Sequence, residues 1–184
     1  MQFLLANGQH LRIREVKADD AAALLEMFRK AVCETDFLMT TPAEAHNLTI
    51  EQERDFITGY LRNHNQLFLV GDVEGQMAGT LSVTQAKLKK QQHAGEFGIV
   101  VLQKYWNMGI ARRMINTMMQ WATTHPVIRY IHLKVMANNE KAIRLYQQFG
   151  FKEEGRKPKA VCQSPDNFQD IILMGKWIKH EPSV

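Results

Sequence analysis

The sequence predicts an α/β fold in which helices cover both faces of a mixed central sheet. Three observations lead to this prediction. The hydrophobic period switches repeatedly between that of strands and that of helices. The predicted elements follow the order β, α, α, β, β, β, α, β, α, β, and the β–α–β unit over residues 94–136 is expected to form a parallel crossover. The length of 184 residues fits one domain, residues 1–184, with a core that needs no disulfides.

The N-terminal part predicts a strand followed by a helix. Residues 11–16 alternate apolar and polar side chains, which is typical of a half-buried strand. Asp19 or Asp20 is suited to cap a helix that runs to about Cys33.

A Thr-rich loop over residues 35–42 separates this helix from the next one. Pro42 is suited to open a further helix, because proline is favoured at the first helical position. Thr49, with Gln52 three residues later, forms a capping-box pattern that starts a helix.

The second half of the chain predicts alternating strands and helices. Strands over residues 66–73 and 76–85 flank the turn Glu74-Gly75 and form a hairpin. Gly150 is predicted to cap the C-terminus of the last helix. The remaining elements are strands over residues 94–102, 130–136 and 169–177 and helices over residues 109–123 and 138–149.

Composition excludes several classes of protein. The net charge of +4 and the pI of about 9.1 suit anionic ligands but are too small and too scattered to predict nucleic-acid binding. No apolar run approaches the ~20 residues of a membrane span, and the N-terminus does not resemble a signal peptide. Cys33 and Cys162 form no metal-binding or disulfide pattern, so we expect no metal, two reduced thiols and a cytoplasmic protein.

The segment over residues 100–113 predicts an anion-binding site. A buried strand runs into a loop, and the loop runs into a helix that starts at Gly109-Ile-Ala. A helix N-terminus offers free N–H groups and a partial positive charge, and Arg112 and Arg113 are able to add bonds to phosphate. The alternative is a helix that merely starts on a glycine. The glycine spacing fits neither a P-loop nor a dinucleotide fingerprint.

A second motif follows about 30 residues later, and the two together point to a family. The second motif reads Leu133-x-Val135-x-x-x-Asn139-x-x-Ala142-x-x-Leu145-Tyr146-x-x-x-Gly150-Phe151-x-x-Glu154-Gly155. With the preceding loop it closely resembles the GNAT family of acyl-CoA-dependent N-acyltransferases, and the resemblance covers nearly the whole chain. It implies a GNAT fold in which a splayed pair of strands holds acyl-CoA, with acetyl-CoA as co-substrate.

The resemblance also implies which residues bind the cofactor. The splayed strand ends at Val101, and the family's pyrophosphate loop falls on Trp106-x-x-Gly109-x-Ala111. This sequence departs from the family pattern at Trp106, where Gln or Arg is usual, and at Asn107, where Gly is frequent. The implied cofactor-binding residues are Ile99, Val100, Val101, Trp106, Asn107, Met108, Gly109, Ile110, Ala111, Arg112, Asn139 and Tyr146.

The resemblance assigns the catalytic roles as well. Tyr146 is expected to protonate the leaving thiolate, and its alternative role is that of a core aromatic. The general base is expected to be His93 or Glu96, acting directly or through water, and the alternative is that both are solvated residues of the hairpin. Asn139 matches the cofactor-contacting Asn of the family, although it is also suited to cap a helix.

The acceptor is expected to bind beside the first two helices. Glu34, Asp36 and Phe37 lie in that region, and the acids there suit a cationic amine. A protein N-terminus, an amino acid or polyamine, and an aminoglycoside all remain open as substrates, and a homodimer is compatible with the family. The rival hypotheses are a non-catalytic acyl-CoA-binding module and an unrelated nucleotide-binding protein.

Overall fold

The centre of the fold is one mixed sheet. A computed structural model describes residues 1–179, and within this range the sheet has eight strands in the order β1-β2-β3-β4-β5-β6-β8-β7. The strands are β1 (Gln2–Leu4), β2 (His10–Glu15), β3 (Leu67–Val73), β4 (Gln76–Gln85), β5 (Ala94–Val101), β6 (Tyr130–Met136), β7 (Lys152–Ser164) and β8 (Asn167–Trp177). The helices are α1 (Ala21–Glu34), α2 (Pro42–Asn47), α3 (Ile50–Leu61), α4 (Ile110–Thr124) and α5 (Glu140–Gln148).

Helices pack on both faces of the sheet, which confirms the predicted fold class. Alternate residues of β3 divide between two apolar clusters, as the two-residue period of a strand requires. Leu69 packs in the cluster that contains Met114 of α4. Phe68 packs in the other cluster, together with Leu24 of α1 and Ile57 of α3.

Local sequence signals set several of the element boundaries. Thr41 and Thr49 each accept a hydrogen bond at a helix start and complete a capping box, so both helices begin where the sequence predicts. Glu74 and Gly75 both have positive φ, which matches the predicted hairpin turn. Gly150 has a φ of 81° directly after α5, as its predicted capping role requires.

Two strands were not predicted from the sequence. The short strand β1 pairs with β2 at one edge of the sheet, and the long strand β7 pairs with β8 at the other. The side chains of β7 are mostly exposed, and its pairing with β8 is interrupted by three register shifts. An edge strand of this kind has no buried face that would impose an alternating pattern.

Strands β5 and β6 separate along their length, and this separation positions the site. Strand β5 pairs with β4 from Gly95 to Val101 but pairs with β6 only over residues 94–96. The β5–β6 pairing is parallel, as the predicted crossover requires. Beyond Glu96 the two strands diverge, and the sheet opens on the side of α4 and α5.

Candidate active site

A cavity of about 1020 Å³ occupies the opening between β5 and β6. This volume is at the upper end of the range for ligand pockets, about 300–1,000 Å³. The C-terminal halves of both strands line it, and so do the start of α4, the inner face of α5 and parts of α1 and α3. The cavity therefore reaches both faces of the sheet through the opening.

The main chain of β5 presents unpaired groups to this cavity. Ala86 donates its N–H to Ala94 O at 3.1 Å, and Leu102 donates its N–H to Ala78 O at 2.9 Å, so even-numbered residues bond to β4 at both ends of β5. In an antiparallel pair, bonded residues alternate with residues whose polar groups point the other way. The N–H and C=O of Ile99 and the N–H of Val101 therefore point into the opening, whereas Val101 O accepts a hydrogen bond from Trp106 Nε1 at 2.7 Å.

The loop between β5 and α4 ends in an anion-binding geometry. Asn107 and Gly109 have φ values of 62° and 77°, in the left-handed region that glycine adopts most readily. The first main-chain bond of α4 joins Arg113 N to Gly109 O at 3.1 Å, so the preceding N–H groups remain free at the helix start. A Cβ at Gly109 would meet nothing within 4 Å. The cavity wall here is backbone, and the helix dipole favours negative charge at this point.

Tyr146 lines the cavity from α5 and is 8% exposed. Its ring makes an edge-on contact with Phe97 at 5.5 Å between centroids and packs near Phe151. Burial raises the pKa of Tyr146 to about 12. The phenol therefore keeps its proton at neutral pH, which a proton donor requires.

The other predicted cofactor residues divide into two groups. Ile99, Val100, Val101, Trp106, Asn107, Ala111, Arg112 and Asn139 line the cavity with Gly109 and Tyr146. Ile110 is 1% exposed and packs in the core, and Met108 Sδ lies 3.8 Å from Asn7 Nδ2. Of the side chains predicted to bind the cofactor, these two are not part of the cavity lining within residues 1–179.

Asn139 caps a helix, as one of its two expected roles requires, and it also faces the cavity. Its side-chain oxygen accepts a hydrogen bond from Ala142 N at 3.3 Å, so it caps α5. The neighbouring Asn138 instead lies 3.5 Å from the amide oxygen of Gln163.

The two predicted bases lie at the start of β5. The ring of His93 stacks on Trp177 at 5.9 Å between centroids. Both carboxylate oxygens of Glu96 accept hydrogen bonds from Lys134 Nζ, at 3.0 and 2.9 Å. Lys134 lines the cavity, but within residues 1–179 the lining includes neither His93 nor Glu96.

On the acceptor side, Glu34 and Phe37 line the cavity. Glu34 Oε2 accepts a hydrogen bond from Gln103 N at 2.6 Å, so this carboxylate already holds the loop that follows β5. Asp36 is exposed, and its main-chain oxygen accepts a bond from Gln163 Nε2 at 3.1 Å. The structure thus brings two of the three predicted acceptor residues into the cavity.

Comparison with known proteins identifies the family. A model of the Acetyltransferase (GNAT) family matches residues 29–151, about two thirds of the chain and all of β3 to α5. The chain belongs to the GNAT family. Members of this family are acetyl-CoA-dependent acetyltransferases, and the resemblance seen in the sequence is thereby confirmed.

Individual relatives agree with this assignment. The L-amino acid N-acetyltransferase AaaT of Escherichia coli is 29% identical over 108 residues, which are 59% of this chain and 66% of that protein. Spermidine N(1)-acetyltransferase of Vibrio cholerae is 29% identical over 120 residues, which are 63% of this chain and 68% of that protein. The crystal structure of a GNAT acetyltransferase from Streptococcus pneumoniae superposes with a TM-score of 0.86 at 31% identity, over 92% of this chain and 99% of that one.

Trp106, where this GNAT chain departs from the family pattern, has a structural role of its own. Its indole Nε1 donates a hydrogen bond to Val101 O at 2.7 Å. The bond joins the end of β5 to the loop that enters α4. The side chain at this position therefore shapes the loop, whereas the free N–H groups at the start of α4 belong to the main chain and do not depend on which residue stands here.

The two arginines after the loop are not equivalent. Arg112 lines the cavity and donates a hydrogen bond to Gln148. Arg113 turns away, because its guanidinium donates to Leu4 O at 3.3 Å and lies over the ring of Phe3. Only Arg112 is positioned to reach an anion at the start of α4.

Sequence reasoning missed one side chain of this GNAT site, Glu53. It lines the acceptor side of the cavity from α3, although it is only 7% exposed. The signal that could have revealed it is a charged residue on the apolar stripe that Ile57 and Tyr60 continue.

Among residues 1–179, no helix is both long and apolar enough to cross a bilayer. In the same range no three His, Cys, Asp or Glu side chains are grouped to hold a metal ion. Cys33 and Cys162 are both exposed and free.

Proposed function

We propose that this protein moves an acetyl group from acetyl-CoA directly to a primary amine, with both substrates bound in one ternary complex. The observation that carries the proposal is the single cavity that joins the anion-binding start of α4, Tyr146 and the acceptor side through the opening in the sheet. Neither cysteine lies in the cavity lining within residues 1–179, which favours direct transfer over an acyl-cysteine route.

The residues present fit acetyl-CoA. The free N–H groups before Arg113 and the side chain of Arg112 suit its phosphates, since anions bind at helix N-termini. The N–H and C=O of Ile99 and the N–H of Val101 suit the amides of the pantetheine arm, which would pair with β5 as an added strand does. Acetyl-CoA supplies the activated thioester.

The chain itself supplies polar groups for the transfer. The N–H groups of Ile99 and Val101 face the opening and are able to stabilise negative charge that develops on a carbonyl oxygen. Tyr146 keeps its proton at neutral pH and is able to donate it to the leaving sulfur. For the proton that leaves the acceptor ammonium, Glu96 is better placed than His93, because its partner Lys134 lines the cavity.

The acceptor is a primary amine. The E. coli relative is named for L-amino acids and the V. cholerae relative for spermidine, and both substrate classes carry an ammonium group at neutral pH. The acceptor side of this cavity is lined by carboxylates and apolar side chains, which suits such a cation.

Calorimetric titration with acetyl-CoA, ATP and NAD, followed by a thiol-release assay with amines, tests the proposal. We expect micromolar binding of acetyl-CoA, no heat from ATP or NAD, and CoA release with an L-amino acid, spermidine or a short peptide. Binding of acetyl-CoA without turnover on any amine would favour a non-catalytic acyl-CoA-binding module. Failure to bind acetyl-CoA would refute the proposal.

A further inference from the structure

Glu53 occupies a position on α3 that packing alone would give to an apolar residue. The buried residues of this helix are Glu53, Ile57 and Tyr60, at spacings of four and three, which define one helix face. Ile57 is fully buried and packs against α1 and β3 in the second apolar cluster. Glu53 lies on the same helix face one turn before Ile57, and the residue as a whole is only 7% exposed.

Within the described residues, the Glu53 carboxyl group has no hydrogen-bond or ion-pair partner that would offset the free-energy cost of its burial. Its Oε1 is buried and accepts no hydrogen bond within residues 1–179. In the same part of the chain, no cationic side chain lies within salt-bridge distance of it. A buried acceptor without a partner costs about 1–3 kcal/mol, and native proteins rarely leave one unsatisfied without a reason. Burial also raises the pKa of Glu53.

Apolar side chains share the acceptor side of the cavity lining with Glu53. Leu24, Phe28, Phe56 and Phe68 line the same cavity from α1, α3 and β3. The rings of Phe56 and Phe68 lie edge to face, with 5.7 Å between centroids. Glu34, the other carboxylate of the lining, is bonded to the main chain at Gln103. Among the described residues, Glu53 is thus an unpaired carboxyl group on the acceptor side of the cavity, beside an aromatic wall.

We propose that Glu53 is the acceptor-binding carboxylate, which holds the ammonium group of a primary amine whose adjoining carbon body packs on the aromatic wall. The inference rests on the proposed function, because it assigns the acceptor half of that site. An ammonium N–H supplies the donor that Oε1 lacks, and charge-assisted bonds of this kind are the strong ones. Attraction between the two charges is strengthened where water is excluded. The acceptor class is therefore an amine with an apolar body next to its ammonium group.

Binding of two probes of similar shape, 2-phenylethylamine and 2-phenylethanol, tests the assignment without requiring turnover. Calorimetric titrations are run with the protein alone and with CoA bound. We expect the unmodified protein to prefer the amine over the alcohol by about ten-fold or more, because only the amine is charged at neutral pH. In Glu53→Gln this preference disappears, while the affinity for acetyl-CoA stays within about two-fold of the original value.

Two further variants keep the test decisive. Glu51→Gln removes an exposed carboxylate from the same helix and leaves the preference for the amine unchanged. Glu53→Leu continues the apolar stripe and leaves no buried polar atom without a partner, so we expect this variant to fold. It should lose the preference for the amine, as Glu53→Gln does. Equal binding of the two probes to the unmodified protein, absence of amine binding, or retention of the preference in both Glu53 variants overturns the inference. If the unmodified protein does not bind acetyl-CoA, the proposed function itself is refuted.

Discussion

Replacing Gly109 separates the role of this residue in folding from its role in binding. The residue has a φ of 77°, and a Cβ there would meet nothing within 4 Å. The cost of Gly109→Ala is therefore the strain of the left-handed conformation alone, about 1–2 kcal/mol. For a chain of 184 residues this corresponds to a fall in Tm of about 2–8 °C.

The effect on acetyl-CoA binding is expected to exceed this strain. The open space at Gly109 is part of the cavity and lies next to the free N–H groups of α4. A methyl group there obstructs the approach of a phosphate to the backbone, so Gly109→Ala should weaken binding about ten-fold. Gly109→Glu adds a charge, and two like charges about 5 Å apart repel by about 1–3 kcal/mol. We expect Gly109→Glu to weaken binding by a further 10- to 100-fold, roughly.

Gly75→Ala is the matched control for this experiment. Gly75 has a φ of 82° and equally open surroundings, but it lies in the β3–β4 turn and does not line the cavity. Thermal unfolding and calorimetric titration with acetyl-CoA are measured for both alanine variants. Both should lose similar stability, and only Gly109→Ala should lose affinity. Equal affinities in the two variants would show that the phosphates of acetyl-CoA do not bind at the start of α4.

Three further predictions concern single side chains. Tyr146→Phe removes the proposed proton donor and should lower turnover about ten-fold or more. The Kd of acetyl-CoA should change little, because the ring keeps its packing on Phe97. Unchanged turnover in a thiol-release assay would contradict the role of Tyr146 as proton donor. Trp106→Phe removes the 2.7 Å hydrogen bond to Val101 O, so denaturant titration should show a free energy of unfolding lower by about 0.5–1.5 kcal/mol. Acetyl-CoA binding should also be weaker. Unchanged stability would mean that this bond does not hold the loop. Glu53→Gln should gain stability relative to the unmodified protein as the pH rises. Folding raises the pKa of Glu53, so the folded state binds its proton more tightly than the unfolded state does. The resulting contribution to the free energy of unfolding is fully present below the unfolded pKa and is lost as the pH rises through the folded pKa. A stability difference that is the same at about pH 4 and about pH 8 would exclude this linkage.

The parts of the fold that the sequence predicted are those where burial imposes a pattern. Strand β3 is buried on both faces, and its apolar run is visible in the residues themselves. The helix starts at Thr41 and Thr49 follow from local side-chain bonds, which depend on neighbours only three residues away. Strand β7 could not be predicted in this way, because its polar residues 152–164 carry no period and its strand form depends on pairing with β8.

The acceptor half of the site could not be read from the sequence for a different reason. In the sequence Glu53 is an unremarked residue of an amphipathic helix. Its burial is visible only once α3 packs on α1 and β3. The same holds for Glu34, which was predicted to meet the acceptor and in the structure bonds to Gln103 N. Which of two acidic residues is free and which is engaged is a property of tertiary contacts.

The two halves of the cavity therefore differ in how their chemistry is encoded. The proposed cofactor half consists mainly of main-chain groups, which are positioned by left-handed residues and by the end of β5. We expect such a site to tolerate Trp106 and Asn107 where the family pattern differs, because main-chain N–H groups do not depend on the side chain. The proposed acceptor half is lined by side chains of α1 and α3, so a substitution there is expected to change the choice of acceptor directly. A family pattern can consequently identify the acyl donor from the first half, whereas the acceptor has to be inferred from charge and burial in the second.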